Sequence, residues 1–307
     1  MKAIANEFYM NQTESYESVA IVGREACKGG KVSLSDFKGR RSCHGGYLTA
    51  VGWNYPVKYI SSFYQSRRLN DWEIITDFFS AVCAPSDFNR MGLCHGCANK
   101  NDSCFSNGPY SGNSGAFRCL VEHAGDIAFV KDDTPILYAK EGPYNQTWST
   151  KLANEFMYLC PKGGCREING YPGDCILGTV PANVIMARNS ISNKKKSIIL
   201  NTLLNASWAD ALYSEKNSQG HLLSSSTQGL AEIKQLTRSY LGLSASISKT
   251  IQQWNDDKVK IAASNRKSVP DASYAKLLNL PSRCLLAISW IITIYAAEIY
   301  HVMARKF

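Results

Sequence analysis

Ten of the eleven cysteines fall between Cys27 and Cys175. That crowding limits the fold more than any other feature, because so many thiols in one span point to disulfides and to an oxidising compartment. Four sequons agree with it: Asn11-Gln12-Thr13, Asn101-Asp102-Ser103, Asn145-Gln146-Thr147 and Asn205-Ala206-Ser207. They make Asn11, Asn101, Asn145 and Asn205 candidate glycan acceptors and indicate a secreted or surface protein. Residues 1–9 lack the long apolar core of an export signal. Export would then be encoded upstream, or the chain is a fragment.

The 307 residues, 45% hydrophobic and 19% charged, suit a globular protein with one large core or two modest ones. A net charge of +9 would fit nucleic acid, but the basic residues are scattered along the sequence. Only Lys194-Lys195-Lys196 forms a tight run, and it reads as the solvated start of a helix, so no nucleic-acid partner is expected.

Periodicity gives an α/β pattern. Residues 18–22, 126–130, 156–160 and 184–186 read as strands. An amphipathic helix is expected over 71–82, with Trp72, Ile75, Phe79 and Val82 on one face and Cys83-Ala84-Pro85 ending it. Ser114 looks like the N-cap of a helix reaching Ala124. Further helices are expected over 197–212 and 240–254, followed by a polar linker or stalk. The apolar core from Leu285 to Ala297 is short for a spanning helix. It fits a glycolipid-anchor signal, with small residues at Asp271-Ala272-Ser273; Arg305-Lys306 fit a transmembrane stop better, and a buried helix is the third reading.

Two local motifs suggest chemistry. Around Ser42-Cys43-His44-Gly45-Gly46, a glycine-rich turn feeds a helix-like segment containing Val51, Gly52 and Trp53. Such a turn presents free backbone N–H groups at the positive end of a helix, which suits an anion; the plainer reading is a turn that needs small residues. Cys94-His95-Gly96-Cys97 could be a redox pair or half a zinc site with Cys83 and Cys104, but the loop sequence after it favours structural disulfides. The five histidines show neither zinc-protease spacing nor a serine-nucleophile elbow, and His44 reads as a structural histidine rather than a catalytic one. No enzyme activity is expected.

Several long motifs together resemble the transferrin family. They are Ser42-Cys43-His44 with Gly52-Trp53-Asn54, Ser114-Gly115-Ala116-Phe117-Arg118-Cys119 running on through Asp126 to Lys131, and Phe78-Phe79-Ser80 to Cys83-Ala84-Pro85 with Leu93-Cys94 and Cys97. Tyr240-Leu241-Gly242 adds a later match, and the resemblance covers roughly residues 1–255. It implies one lobe: two α/β subdomains around a hinged cleft, like a periplasmic binding protein, here with the first subdomain incomplete. On that scheme 1–9 is the hinge and end of the first subdomain, 10–178 the second, 179–255 the return to the first, 256–283 the linker and 284–303 the anchor signal. The family's membrane-anchored members make this a C-terminal lobe tied to a membrane by its tail, facing an unidentified protein partner or receptor.

The resemblance also implies the disulfides Cys43–Cys119, Cys83–Cys97, Cys94–Cys104 and Cys160–Cys175, leaving Cys27 and Cys165 without an argument from spacing. The family ligand is ferric iron with carbonate. Iron is held there by an aspartate, two tyrosines and a histidine, and carbonate by a threonine, an arginine and a helix N-terminus. The aspartate belongs to a segment before Met1. Tyr9 matches the first tyrosine, Asn113 replaces the second, and Ser218 stands near the histidine position with His221 three residues on. In the anion turn Gly45 replaces the threonine and Thr49 the arginine, while Val51 and Gly52 keep their places. The resemblance therefore implies a vestigial site that binds iron weakly or not at all. Iron transport through another lobe and an adhesive or receptor-binding role are the two functions left open.

Overall fold

The structure is a computed structural model that describes residues 1–9, 13–64, 69–87, 92–97, 104–205, 223–224 and 226–267, the last ten as backbone only. Asn11, Asn101, Ser218, His221 and the apolar tail lie outside the described residues.

Two sheets organise residues 1–256. The larger has seven strands: β2 (Ser15–Gly23), β3 (Arg41–His44), β4 (Ala81–Cys83), β5 (Ile127–Lys131), β6 (Phe156–Leu159), β7 (Cys165–Glu167) and β8 (Gly178–Pro181). Its order is β4-β3-β5-β2-β6-β7, with β8 also paired to β2. β3 runs parallel to β4 and β5, whereas β2 is antiparallel to β5, β6 and β8. β2 and β5 are buried on both faces, and side-chain alternation sends their residues into two cores. Ala20, Val22, Ile127 and Phe129 enter one, with Trp53 and Ile75; Val19, Ile21, Ala128 and Val130 enter the other, with Phe117 and Tyr158.

The smaller sheet has order β10-β1-β9, all antiparallel, from β1 (Lys2–Phe8), β9 (Val184–Ala187) and β10 (Gly229–Glu232). It is flanked by α5 (Asn193–Leu203) and α6 (Thr237–Lys267, kinked at the non-helical Gly242), which cover it through Leu200 on Ile4 and Ala5 and through Tyr240 on Ala3. The helices of the larger part are α1 (Tyr55–Ser61), α2 (Asp71–Phe78), α3 (Gly112–Val121) and α4 (Thr134–Tyr138).

Four expected boundaries move. α2 starts at Asp71 behind an Asn70–Glu73 capping box, but ends at Phe78 rather than Val82. Gly39 N–H donates to Phe78 O at 2.7 Å and Ser80 N–H to Arg40 O at 3.0 Å, so the chain turns extended and Val82 joins β4 beside β3. α3 begins after Ser111, not Ser114, because Gly112 N–H is pinned to Gly45 O at 2.7 Å. α5 starts at Asn193 behind Ser192, four residues before the expected start. The polar stretch from Asn255, expected as a linker, is helical to Lys267: Ile247, Ile251 and Trp254 recur at helical spacing and pack on the larger core, and the stretch beyond holds good helix formers.

Five disulfides cross-link the described residues: Cys27–Cys165, Cys43–Cys119, Cys83–Cys97, Cys94–Cys104 and Cys160–Cys175. The cysteines of the Cys94-His95-Gly96-Cys97 motif thus pair outward and not with each other. Among the described residues no helix is long and apolar enough to cross a membrane.

Candidate functional site

The turn expected to hold an anion follows β3. His44 is fully buried, with Nδ1 2.6 Å from Gly52 O and Nε2 2.9 Å from Ser42 Oγ. A carbonyl can only accept, so Nδ1 carries the proton and Nε2 accepts from the serine hydroxyl. Burial holds the ring's pKa down to about 4, and the ring stacks on Phe129. It is a structural histidine that fixes the far end of the turn.

Gly45 and Gly52 are there because the backbone closes on itself. A Cβ at Gly52 would sit 2.7 Å from Gly45 N, and one at Gly45 would sit 2.9 Å from Gly112 O. A threonine at position 45 therefore does not fit this arrangement without moving α3. Thr49 spends its hydroxyl inside the turn, donating to Gly46 O at 2.8 Å, and Val51 O accepts from Ser18 Oγ at 3.0 Å. A π-helical turn, Ala50–Asn54, then leads into α1. The cavity beside the turn, about 300 Å³, is lined by Gly45, Gly46, Thr49, Ser106 and Gly112. Among the described residues its one charged lining residue is Asp87, so the described side chains there include an acid and no base.

Tyr9 lies at the end of β1 and is only 5% exposed. Its phenol donates to Glu7 Oε2 at 2.9 Å, and the phenol oxygen accepts from Asn183 N–H at 3.4 Å. Glu7 is buried and also accepts from Asn183 Nδ2 at 3.1 Å and from Ser224 N–H at 2.9 Å. Burial first, and the Glu7 carboxylate second, raise the Tyr9 phenol far above its ordinary pKa. Lys131, the last residue of β5, places its ammonium 3.5 Å from the centre of the Tyr9 ring and 5.0 Å from that of Tyr16. It also pairs with Asp133 at 3.1 Å and donates to Ser226 Oγ. Asn113 reaches the same place from α3, its Oδ1 accepting from Lys131 N–H at 3.3 Å.

The structure thus places Tyr9 under the Lys131 ammonium and Asn113 against the Lys131 backbone, and brings Gly45, Thr49, Val51 and Gly52 together in the turn. Asn145 and Asn205 are exposed. Sequence reasoning missed Lys131, Glu7 and Tyr16. Tyr16 stands at the start of β2, packs edge-on to Tyr9 with ring centres 5.6 Å apart, and donates to Asn183 Oδ1 at 3.4 Å. Burial, then Glu7, raises its phenol pKa as well. Two tyrosines flanking a sequon, followed by a lysine closing an apolar strand, were visible in the sequence, but only folding shows that they converge. Among the described residues no group of three or more His, Cys, Asp or Glu side chains could hold a metal ion.

Comparison with known proteins agrees with the motifs and the α/β architecture. The transferrin family profile matches residues 1–253. Human melanotransferrin is 32% identical over 197 residues, covering 60% of this chain and 26% of that protein. Chicken (Gallus gallus) ovotransferrin is 33% identical over 211 residues, 64% of this chain and 27% of that protein. Horse (Equus caballus) serotransferrin is 30% identical over 233 residues, 73% and 31% respectively. The chain therefore spans about a quarter to a third of the length of the curated relatives it matches. With the profile spanning both sheets, and the disulfide-linked turn, β5 and the Tyr9 strand all inside it, the chain belongs to the transferrin family.

Proposed function

We propose that this chain is a lobe of an extracellular or cell-surface transferrin-family protein, with no catalytic role, that does not hold ferric iron and carbonate tightly. One observation carries the reading: the Tyr9 phenol keeps its proton on Glu7 beneath the Lys131 ammonium. Ferric iron needs a phenolate; burial and the neighbouring carboxylate oppose forming one, and the resident cation opposes seating a trivalent ion beside it. The anion side agrees. A helix N-terminus supplies only about half a charge. With Thr49 where the family has arginine, the bidentate charge-assisted contact is lost, and Asn113 offers a neutral amide in place of a phenolate. The five disulfides support an oxidising, extracellular setting.

The alternative within the same scaffold is a non-iron interaction protein. It is favoured by the way Glu7, Tyr9, Asn183, Lys131 and Ser226 satisfy one another. Both readings share the weak iron site, which a restoration series tests. Asn113→Tyr and Thr49→Arg are made singly and together, and ferric iron affinity is read by chelator competition with bicarbonate present. Each single variant should stay near the parent, and the double variant should gain more than the product of the two, because ligand and anion act together. A parent chain that already binds as tightly as the double variant would overturn the proposal.

A further inference from the structure

The basic residues that look scattered in sequence gather at one end of the three-stranded sheet. β1 pairs with β9 so that Lys2 faces Ala187, which puts Arg188 at the same end. β1 pairs with β10 from Ala5–Glu232 onward, and Ile233 N–H donates to Ile4 O at 3.1 Å, so Lys234 emerges there too. Ala3 N–H donates to Thr237 Oγ1 at 2.9 Å, which brings Arg238 to that end. The turn after β9 then delivers Lys194, Lys195 and Lys196 at the start of α5. Lys2, Arg188, Lys194, Lys195, Lys234 and Arg238 are exposed. Lys196 is paired with Glu232 at 2.9 Å, the one acid that these elements bring to this end. Seven cations against one carboxylate leave a surplus of six within a chain of net charge +9.

The start of α5 points the same way. α5 has no acid in its first turn and three consecutive lysines there instead. A helix N-terminus is its positive end, so lysines at that place are repelled by the dipole. Ser192 caps the helix, accepting from Lys195 N–H at 3.3 Å, so the sequence follows one rule for starting a helix and breaks another at the same turn. A charge arrangement that costs the fold stability is accounted for by a negatively charged partner that meets the lysines and the free helix N–H groups together.

We infer that this end of the sheet is a docking surface for a sulfated polysaccharide. The five disulfides place the chain on the oxidising side of the cell, where extended polyanions are sulfated glycans. Anionic lipid headgroups belong chiefly to the cytoplasmic leaflet. The surface is built by five chain segments, lies on a different sheet from the anion turn and sits at the opposite end of β1 from Tyr9, so it does not depend on the fate of the iron site.

The test uses the full chain and a heparin decasaccharide as the probe. The parent should bind it, should lose most of its affinity as NaCl rises from roughly 0.1 to 0.5 M, and should not bind the desulfated sugar. Combined Lys194→Ser, Lys195→Ser and Lys234→Ser should weaken binding at least tenfold while thermal stability stays equal or rises. A control of equal charge change on the other sheet's periphery, Lys31→Ser with Lys58→Ser and Lys162→Ser, should shift affinity less than twofold. Equal losses in the two triple variants would mean that net charge alone is at work and would overturn the assignment. So would absence of heparin binding, or binding to phosphatidylserine vesicles without binding to heparin.

Discussion

At the scale of the residue, a buried histidine and a half-buried aspartate carry pH signatures. His44 is neutral in the fold because burial lowers its pKa from 6.5 to about 4. The unfolded chain takes up a proton near pH 6.5 and the folded chain does not. The neutral ring's stability contribution is therefore complete above pH 6.5 and is lost as pH falls towards 4, by about 3 kcal/mol in all. Ring resonances of His44 should stay in the neutral, Nδ1-protonated form at pH 5; a midpoint near 6.5 would mean that the ring is reached by solvent. Asp132 works in the opposite sense. Its carboxyl is raised to about 6 by burial, and then by Asp133, so the stability it lends at low pH is lost as pH rises through 6. It accepts Glu17 N–H at 3.0 Å, an acceptor role that an amide keeps. Asp132→Asn should stabilise the fold by about 1 to 3 kcal/mol at pH 8 and by almost nothing near pH 4, read from denaturant midpoints. No difference between the two pH values would contradict this.

At the scale of the element, α6 is the instructive case. Its composition beyond Asn255 reads as a polar linker, and the chain nevertheless stays helical to Lys267. The helix is anchored earlier by Ile247 and Ile251, buried in the larger core, while Ser244 and Ser248 meet Tyr55 Oη at 2.8 Å and Asn54 Nδ2 at 3.3 Å. Ile251→Ala should cost about 2 to 5 kcal/mol by removing buried methyls and leaving a cavity. Leu243→Ala, at a side chain 66% exposed, should stay within about 0.5 kcal/mol. Similar unfolding midpoints for the two variants would mean that α6 is not docked. The shortened α2 teaches the converse. Val82 continues a helical stripe in sequence, but a strand position beside β3 buries it equally well, and the bonds from Gly39 and Ser80 decide between them. Periodicity finds where apolar side chains must be buried; it does not say which backbone buries them.

At the scale of the whole molecule, the parts that were legible in sequence are those fixed by short-range chemistry. Glycines that admit a neighbouring backbone, an apolar strand such as Val19–Val22, and ordered cysteine motifs all announce the α/β lobe. What stayed hidden depends on convergence from distant segments. Lys131 reaches Tyr9 and Tyr16 from another strand, Glu7 collects donors from residues 183 and 224, and the cationic end of the small sheet assembles from five segments. A sequence-based reading that lists ligand positions one by one counts Tyr9 as kept. In the folded chain its phenol is already engaged and its ring already covered by a cation. The central proposal is that the Tyr9, Glu7 and Lys131 groups engage one another and that the chain does not hold ferric iron tightly. The most direct measurement is a titration of the purified chain with ferric iron as a weak chelate, with and without bicarbonate, following visible absorption. The account predicts no bicarbonate-dependent tyrosinate-to-iron charge-transfer band. A stoichiometric band of that kind that disappears in Tyr9→Phe or Tyr16→Phe would contradict it.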